Sequence, residues 1–272
     1  MPYLPETIES VLNQTYKHIE LIVSDDASTD GTTEYLSSLK DYRIKLVSPT
    51  KSLNAAEHWS FVSTFGKGDY IKLLCADDTL PKEAIARQVD ILNSYSSVVA
   101  VASKRSVISA SGRMLLKRHG LAKLSGEVDD IDFFRSSIRN GTNVLGEPGA
   151  VMFRMEGFKE NLPWSNSIPY MLDFDFYCRA FLNSKIYADR NVGLNFRVHG
   201  SSISAKQKTN HVDQFNECLR LYNLTNGTYL KLSLTDRILM KFNTRLKQNL
   251  RRMVFVYAAL LETFFRETLF TK

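Results

Sequence analysis

Cysteine is scarce in this chain. There are three in 272 residues, Cys75, Cys178 and Cys218. Their spacing is not that of a metal site, and an odd count argues against a disulfide framework, so a reducing, cytoplasmic setting is expected. No apolar run approaches the ~20 residues that a membrane-spanning helix needs. The N-terminus has no basic segment followed by an apolar one, so no export signal is read. Without one, the Asn-x-Thr sequons at Asn13, Asn140, Asn223 and Asn226 carry no weight. Internal repeats and low-complexity tracts are missing. So are a Ser-His-Asp pattern and any platform of interleaved basic and aromatic residues, and the last of these argues against nucleic acid as a partner.

What is present is an ordinary soluble composition, with 44% hydrophobic and 24% charged residues. The length suffices for one large domain, or one domain with an appendage. Net charge is +6, and its excess gathers near the C-terminus at Lys241, Arg245, Lys247, Arg251, Arg252 and Arg266. That balance suits anionic partners such as nucleotide phosphates or a lipid surface.

Along the chain, strand signals alternate with helical ones. Helices are expected at Pro5 to Gln14, up to Leu39, at Asn54 to Phe65 and at Pro81 to Tyr95, with strands at Ile19 to Val23, Arg43 to Val47 and Tyr70 to Leu74. Val98 to Ser103 and Arg105 to Ser109 read as two strands around a break. This alternation argues for a doubly wound α/β sheet. Met114 to Gly126 reads as a mobile loop. Further on, helices are expected at Ile131 to Ile138 and Ile168 to Phe181, and strands at Ala150 to Phe153, near Ile186 and at Leu194 to Val198. Past Ser204 the pattern is helical only, so the expected division is 1–204 and 205–272.

The stretch that organises the rest runs from Lys67 to Pro81, where a short apolar strand ends in two adjacent acids, Asp77 and Asp78. Ligands of open α/β sheets bind beyond the carboxyl ends of strands. Neighbouring carboxylates there repel unless a cation stands between them, which suits a divalent metal carrying a phosphorylated ligand. The plainer reading is a solvated turn in which Asp78 caps the next helix. A second polar loop, Asp26-x-Ser28-x-Asp30-Gly31, imitates the start of a calcium-binding loop. It has Ser37 where the closing Glu belongs and follows a strand, so the calcium reading fails. Its side chains either satisfy backbone donors before a helix, or Asp26 accepts from a nucleobase edge while the helix after Asp30 supplies donors.

Five segments together resemble the family-two glycosyltransferases, inverting enzymes of the GT-A fold. They are Glu9-Ser10-Val11-Leu12-Asn13-Gln14-Thr15-Tyr16, Glu20 to Thr32, Gly68 to Asp78, Leu172-Asp173-Phe174-Asp175-Phe176-Tyr177-Cys178-Arg179, and Phe196-Arg197-Val198-His199-Gly200-Ser201-Ser202. The flavour is that of bacterial enzymes of surface polysaccharide. The resemblance implies a GT-A doubly wound, mostly parallel sheet flanked by helices. It also implies transfer of a sugar from a UDP- or dTDP-linked donor to a glycan or lipid-linked hydroxyl. In it Asp26 reads the base, Asp77 contacts ribose or diphosphate, Asp78 ligates Mg²⁺ or Mn²⁺, and Asp173 is the general base. Asp30 and Arg197 are assigned to nucleotide binding, Arg197 through phosphate unless it simply pairs with a neighbouring acid, and His199 to the metal or the diphosphate, unless it is structural. Leu172 stands where the family often has an acid, which leaves Asp175 as a substitute base or as a partner of Arg179. Trp59 is read as core packing or as a platform for a sugar.

Relatives normally start with an apolar strand ending in Pro-Thr-Tyr-Asn, and this sequence starts just beyond its place. Either the start is assigned too late, which is the favoured reading, or the product is damaged and inactive. Neighbouring strands would then keep unpaired backbone groups, and the chain as given is expected to be weakly stable and to bind sugar nucleotide weakly. The alternative function is a catalytically inactive relative that acts as a binding or assembly partner. Leu250 to Phe265 is expected either to lie at a membrane's inner face as a basic amphipathic helix, or to pack on the catalytic body or a second subunit.

Overall fold

A computed structural model describes residues 2–168, 171–200, 202, 211–226 and 232–270, with the side chains of 211, 224–226 and 261–270 excepted. The expected boundary at 204 falls outside the described residues. Helix α1 (Leu4–Leu12) takes Pro5 in its first turn, where no intrahelical donor is needed, and buries Leu4, Ile8 and Val11. β1 (Leu21–Ser24) leads through a left-handed Gly31, φ 83°, into α2 (Thr32–Ser38), and β2 (Ile44–Val47) follows. α3 (Ala55–Ser63) opens on a capping box in which Asn54 and Glu57 each satisfy the other's backbone N–H. Then come β3 (Tyr70–Ile71), α4 (Ala84–Ser94), β4 (Val98–Ser109), β5 (Met114–His119), β6 (Gly126–Asp129) and α5 (Asp130–Asn140). After a 3₁₀ turn at Pro148–Ala150 follow β7 (Val151–Arg154), α6 (Met155–Glu160), α7 (Leu172–Ala180), β8 (Lys185–Val198), α8 (His211–Asn226) and α9 (Leu234–Phe270).

The six-stranded sheet has the order β3-β7-β4-β8-β6, with β5 also on β4. The α/β architecture with its terminal helices is as expected, but the sheet is mixed rather than mostly parallel. β4–β8 runs parallel, whereas β3–β7, β4–β7, β4–β5 and β6–β8 run antiparallel. The cause is local for β5, because the tight turn between Ser109 and Arg113 can only join antiparallel neighbours. Met114 to His119 is accordingly a strand, not the expected mobile loop. It is almost wholly exposed, so no alternation marks it. The two short strands expected around Lys104 are one, β4, which runs on through Lys104. Opposite it β8 is likewise continuous and carries the extra residues of the bulge, between Asp189 and Leu194.

β1 and β2 form a separate parallel pair. β1 has β2 as its strand partner and β3 has β7, so the described sheet is in two pieces. Side chains bridge them. Glu20 accepts from the Lys67 and Gly68 N–H groups at 2.5 and 3.0 Å, and Gln14 donates to Pro81 O at 2.9 Å and accepts from Ile85 N at 3.1 Å. β3 is shorter than the Tyr70–Leu74 strand expected, and Lys72 onward leaves the ladder to carry the acids.

Under the large sheet lies an aromatic core in which Phe133, Phe134, Phe153, Phe174, Phe176, Tyr177 and Phe181 are buried. Trp59 packs against this core, edge-on to Trp164 at 5.1 Å, as the packing reading had it. α9 closes over α5, with Thr244 pressed against Gly141, the left-handed residue (φ 58°) that ends α5. A Cβ at Gly141 would strike Thr244 and strain the backbone. Gly141→Ala is expected to lose about 2 kcal/mol or more, visible as a lower melting temperature and faster proteolysis of α9.

Candidate active site

Beyond β3 the chain turns at Cys75–Asp78, with Asp78 N donating to Cys75 O at 3.2 Å. An isolated antiparallel bridge, Thr79 with Asn195, then fastens the turn to β8. Two residues further along β8, Arg197 N–H donates to Asp78 Oδ1 at 2.9 Å, and its Nε donates to Asp77 O at 2.8 Å. The rest of the guanidinium meets Ala110 O at 3.0 Å and Glu6 Oε2 at 2.5 Å, over the Tyr3 ring. Arg197 is only 1% exposed. Expected on the nucleotide, it braces the acid turn instead. His199 Nε2 lies 3.0 Å from Asp77 Oδ2.

Asp78 is 1% exposed, and burial together with the neighbouring Asp77 raises its pKa well above the carboxylate range. Such a carboxylate is short of positive charge. Ligand atoms of Cys75, Asp77 and Asp78 lie within 4.8 Å of one another. The two carboxylates fit a hard cation such as Mg²⁺ or Mn²⁺; the imidazole of His199 meets Asp77 but lies outside that group. The Cys75 thiol does not fit: burial, then Asp78 and Asp77, push its pKa far up, and a neutral soft sulfur is a poor ligand for such ions.

Asp173 stands in the first turn of α7. Its Oδ2 accepts from Asn143 Nδ2 at 3.0 Å and its Oδ1 from Phe174 N at 2.7 Å. Burial, then the charge of Glu147, push its pKa up to about 6. The Cys75 thiol feels Asp78, Asp77, Glu147 and Asp173 alike, so these four acids share one neighbourhood. Asp175 is buried and paired with Arg179 at 3.2 Å.

Asp26 and Asp30 lie on the loop leaving β1. Asp26 accepts from Ser52 Oγ at 2.8 Å and Leu53 N at 3.1 Å, and the exposed Asp30 accepts from Thr32 Oγ1 at 2.6 Å. The acid that shapes the loop is Asp25. Burial opposes its ionisation, but donors on Ser28 and Thr33 outweigh that and hold its pKa down. The sequence reading missed Asn143, Glu147 and Arg105, the last of which pairs with Glu147 at 2.5 Å. They sit in segments without periodicity, and Gly146-Glu147-Pro148-Gly149 signals only a turn.

A mixed sheet flanked by helices, with the half-buried Asp77 and buried Asp78 in the turn beyond β3, is the arrangement of the GT-A class of sugar-transferring folds. The structure is similar to S. aureus TarS 1–349 in complex with UDP-GlcNAc, with a TM-score of 0.66 at 16% identity, over 89% of this chain and 67% of that one. Residues 1–162 match Glycosyl transferase family 2, and the chain belongs to that family. It is 29% identical to an uncharacterized glycosyltransferase of Rickettsia prowazekii, over 89% of this chain and 72% of the relative. It is also 26% identical to the Escherichia coli UDP-Glc:alpha-D-GlcNAc-diphosphoundecaprenol beta-1,3-glucosyltransferase WfaP, over 83% and 81%.

Because Arg197 ties Asp77, Asp78 and Glu6 together from the interior, Arg197→Met is expected to cost about 2–4 kcal/mol of stability, read by chemical denaturation. UDP affinity in the presence of Mn²⁺ should fall with it.

Proposed function

We propose that the protein transfers a sugar from a UDP- or dTDP-linked donor to a hydroxyl on a glycan or lipid-linked acceptor, with inversion, in the synthesis of surface polysaccharide. The observation that carries this reading is Asp173, whose carboxylate is oriented by Asn143 and Phe174 N and whose pKa burial and Glu147 raise to about 6. It is ionised at neutral pH yet basic enough to take a hydroxyl proton. Asn143 fixes one of its oxygens and leaves the carboxylate oriented. Relatives and structural neighbours named for nucleotide-sugar chemistry support the donor class.

In this reading the acceptor hydroxyl gives its proton to Asp173 as its oxygen attacks the anomeric carbon. The nucleoside diphosphate departs on the opposite face, and a single displacement inverts the centre without an enzyme nucleophile. Asp78 and His199 would hold Mg²⁺ or Mn²⁺, which when bound supplies positive charge to the departing diphosphate. Asp77 orients ribose or diphosphate, while Asp26 and the loop through Asp30 receive the base. Arg197 is a positioning residue that keeps Asp77 and Asp78 in place. An inactive binding relative is disfavoured because burial raises the pKa of Asp78 and Asp173, an arrangement a purely structural acid does not need.

Among the described residues no helix is long and apolar enough to cross a membrane. The outer face of α9 nevertheless exposes Ile238, Phe242, Leu246, Met253, Val256 and Leu260 among cations, which supports peripheral attachment to an anionic inner leaflet. Sedimentation with vesicles containing phosphatidylglycerol should carry the protein down, and Phe242→Ser with Met253→Ser should leave it in solution.

Asp173→Asn is expected to lower kcat about 10²- to 10⁴-fold while UDP affinity stays unchanged. For the unmodified enzyme, kcat should fall tenfold per pH unit as pH drops below about 6, because protonation removes the base. Full activity in the Asn variant, or a flat profile through pH 5, would reject the assignment.

A further inference from the structure

The inner stripe of α9 changes character halfway along. Met240 and Thr244 are buried at one end, and Ala258, flanked by Val254 and Phe255, packs on Val107 and Val198 at the other. Between them, at the same three- and four-residue spacing, come Lys247, half-buried, and Arg251, exposed. An inward helix face is ordinarily apolar there. Across from these cations stand two residues paired between strands, Arg105 of β4 and His119 of β5.

Arg105 is 7% exposed. Its Nε is ion-paired with Glu147 at 2.5 Å, and its Nη1 has no hydrogen-bond partner. Gly120 and Gly146 make room for it, since a Cβ on either would collide with the guanidinium. The cations crowd one another. Burial, then Arg105 and Arg251, hold the Lys247 pKa low. The imidazole of His119 is pushed down to about 4 by lost hydration and then by Arg105. Two carboxylates act on these charges: Glu147 is already paired with Arg105, and Asp173 already accepts from Asn143 Nδ2 and Phe174 N. Such a cluster lacks an anion.

We propose that Arg105, Lys247 and Arg251, with His119 as a neutral donor, form a subsite for a phosphate or diphosphate group carried by the acceptor. The proposal rests on Asp173 being the base. The charges acting most on Asp78 are Asp77, Glu147 and Arg197, whereas Arg251 acts on Asp173. Arg105 is two residues from Val107 on the same face of β4, and Val107 carries Val254, Phe255 and Ala258 of α9, so the cluster lies where α9 crosses the sheet. Guanidinium groups match phosphate oxygens in paired hydrogen bonds, and Lys247 adds a point charge. The same helix offers its apolar outer face to a membrane, so a phosphate joined to a lipid would meet both.

Calorimetric titration of the full chain separates the possibilities. In EDTA, where a metal-dependent donor site is silent, decyl diphosphate is expected to bind. Lys247→Gln with Arg251→Gln should weaken it at least tenfold, through loss of charge-assisted hydrogen bonds, while UDP with Mn²⁺ binds as before. Lys247→Arg, which keeps the charge, should bind as the unmodified protein does, and circular dichroism checks that each variant is folded. Tighter binding of a glycerol phosphodiester oligomer than of decyl diphosphate would assign the phosphate to a glycan rather than a lipid. Binding unaffected by the double variant, an equal loss of UDP affinity, or no binding of either probe would overturn the subsite. Decyl diphosphate binding without UDP binding would instead overturn the donor reading and leave the subsite standing.

Discussion

The structure around the site depends on one buried guanidinium. Arg197 reaches from the last strand of the sheet to the carbonyl of Asp77, the carbonyl of Ala110 and the carboxylate of Glu6, while its own N–H holds Asp78. Those partners come from α1, from the turn after β3 and from the β4–β5 turn. A single residue of β8 therefore fastens the acid turn and α1 to one end of the six-stranded sheet. An arginine suits this task, because its fork of donors meets several acceptors at once and stays charged when buried.

Charge balance follows from that constraint. Asp78 is buried beside Asp77 and accepts one backbone donor, which does not neutralise two carboxylates. Glu147 and Asp173 add to the negative field felt at Cys75. On the far side Arg105, Lys247 and Arg251 supply the opposite sign. Among the described residues only Arg105 and Glu147 pair across these two groups; Lys247 and Arg251 have no ion pair with Asp77, Asp78 or Asp173. A separated arrangement is costly in an empty protein and suits one whose ligands bring both a cation and an anion.

Much of this was legible beforehand. The alternation of strands and helices gave the α/β class, and five ordered segments gave the family, because Asp77, Asp78, Asp173 and His199 fall within motifs of distinctive local order. Strand direction was not legible. Period-two patterns are the same in parallel and antiparallel ladders, and β5 has no buried face to reveal it. The breaks read at Lys104 and near Val192 mark one bulge inside a continuous ladder rather than ends of strands. Arg197 could not be sorted between phosphate and interior by sequence, since its partners, Glu6 and Ala110, are remote in the chain. Glu147 and Arg105 escaped for the same reason: their pairing is a product of tertiary contact, and each alone reads as a surface charge.

The two carboxylates of α7 show how little separates a reactive acid from a structural one. Asp173 and Asp175 are two residues apart, which turns them about 200° from each other on a helix. Both are raised by burial. Asp175, facing inward, meets Arg179 one turn later, and the cation offsets part of that burial. Asp173, facing Asn143, meets a neutral amide that orients without neutralising, and the nearest charge of consequence is the repelling Glu147. Of the two, only Asp175 has a cation beside it, and Asp173 is pushed up to about 6. An amide partner in place of a guanidinium is what keeps that carboxylate able to exchange a proton.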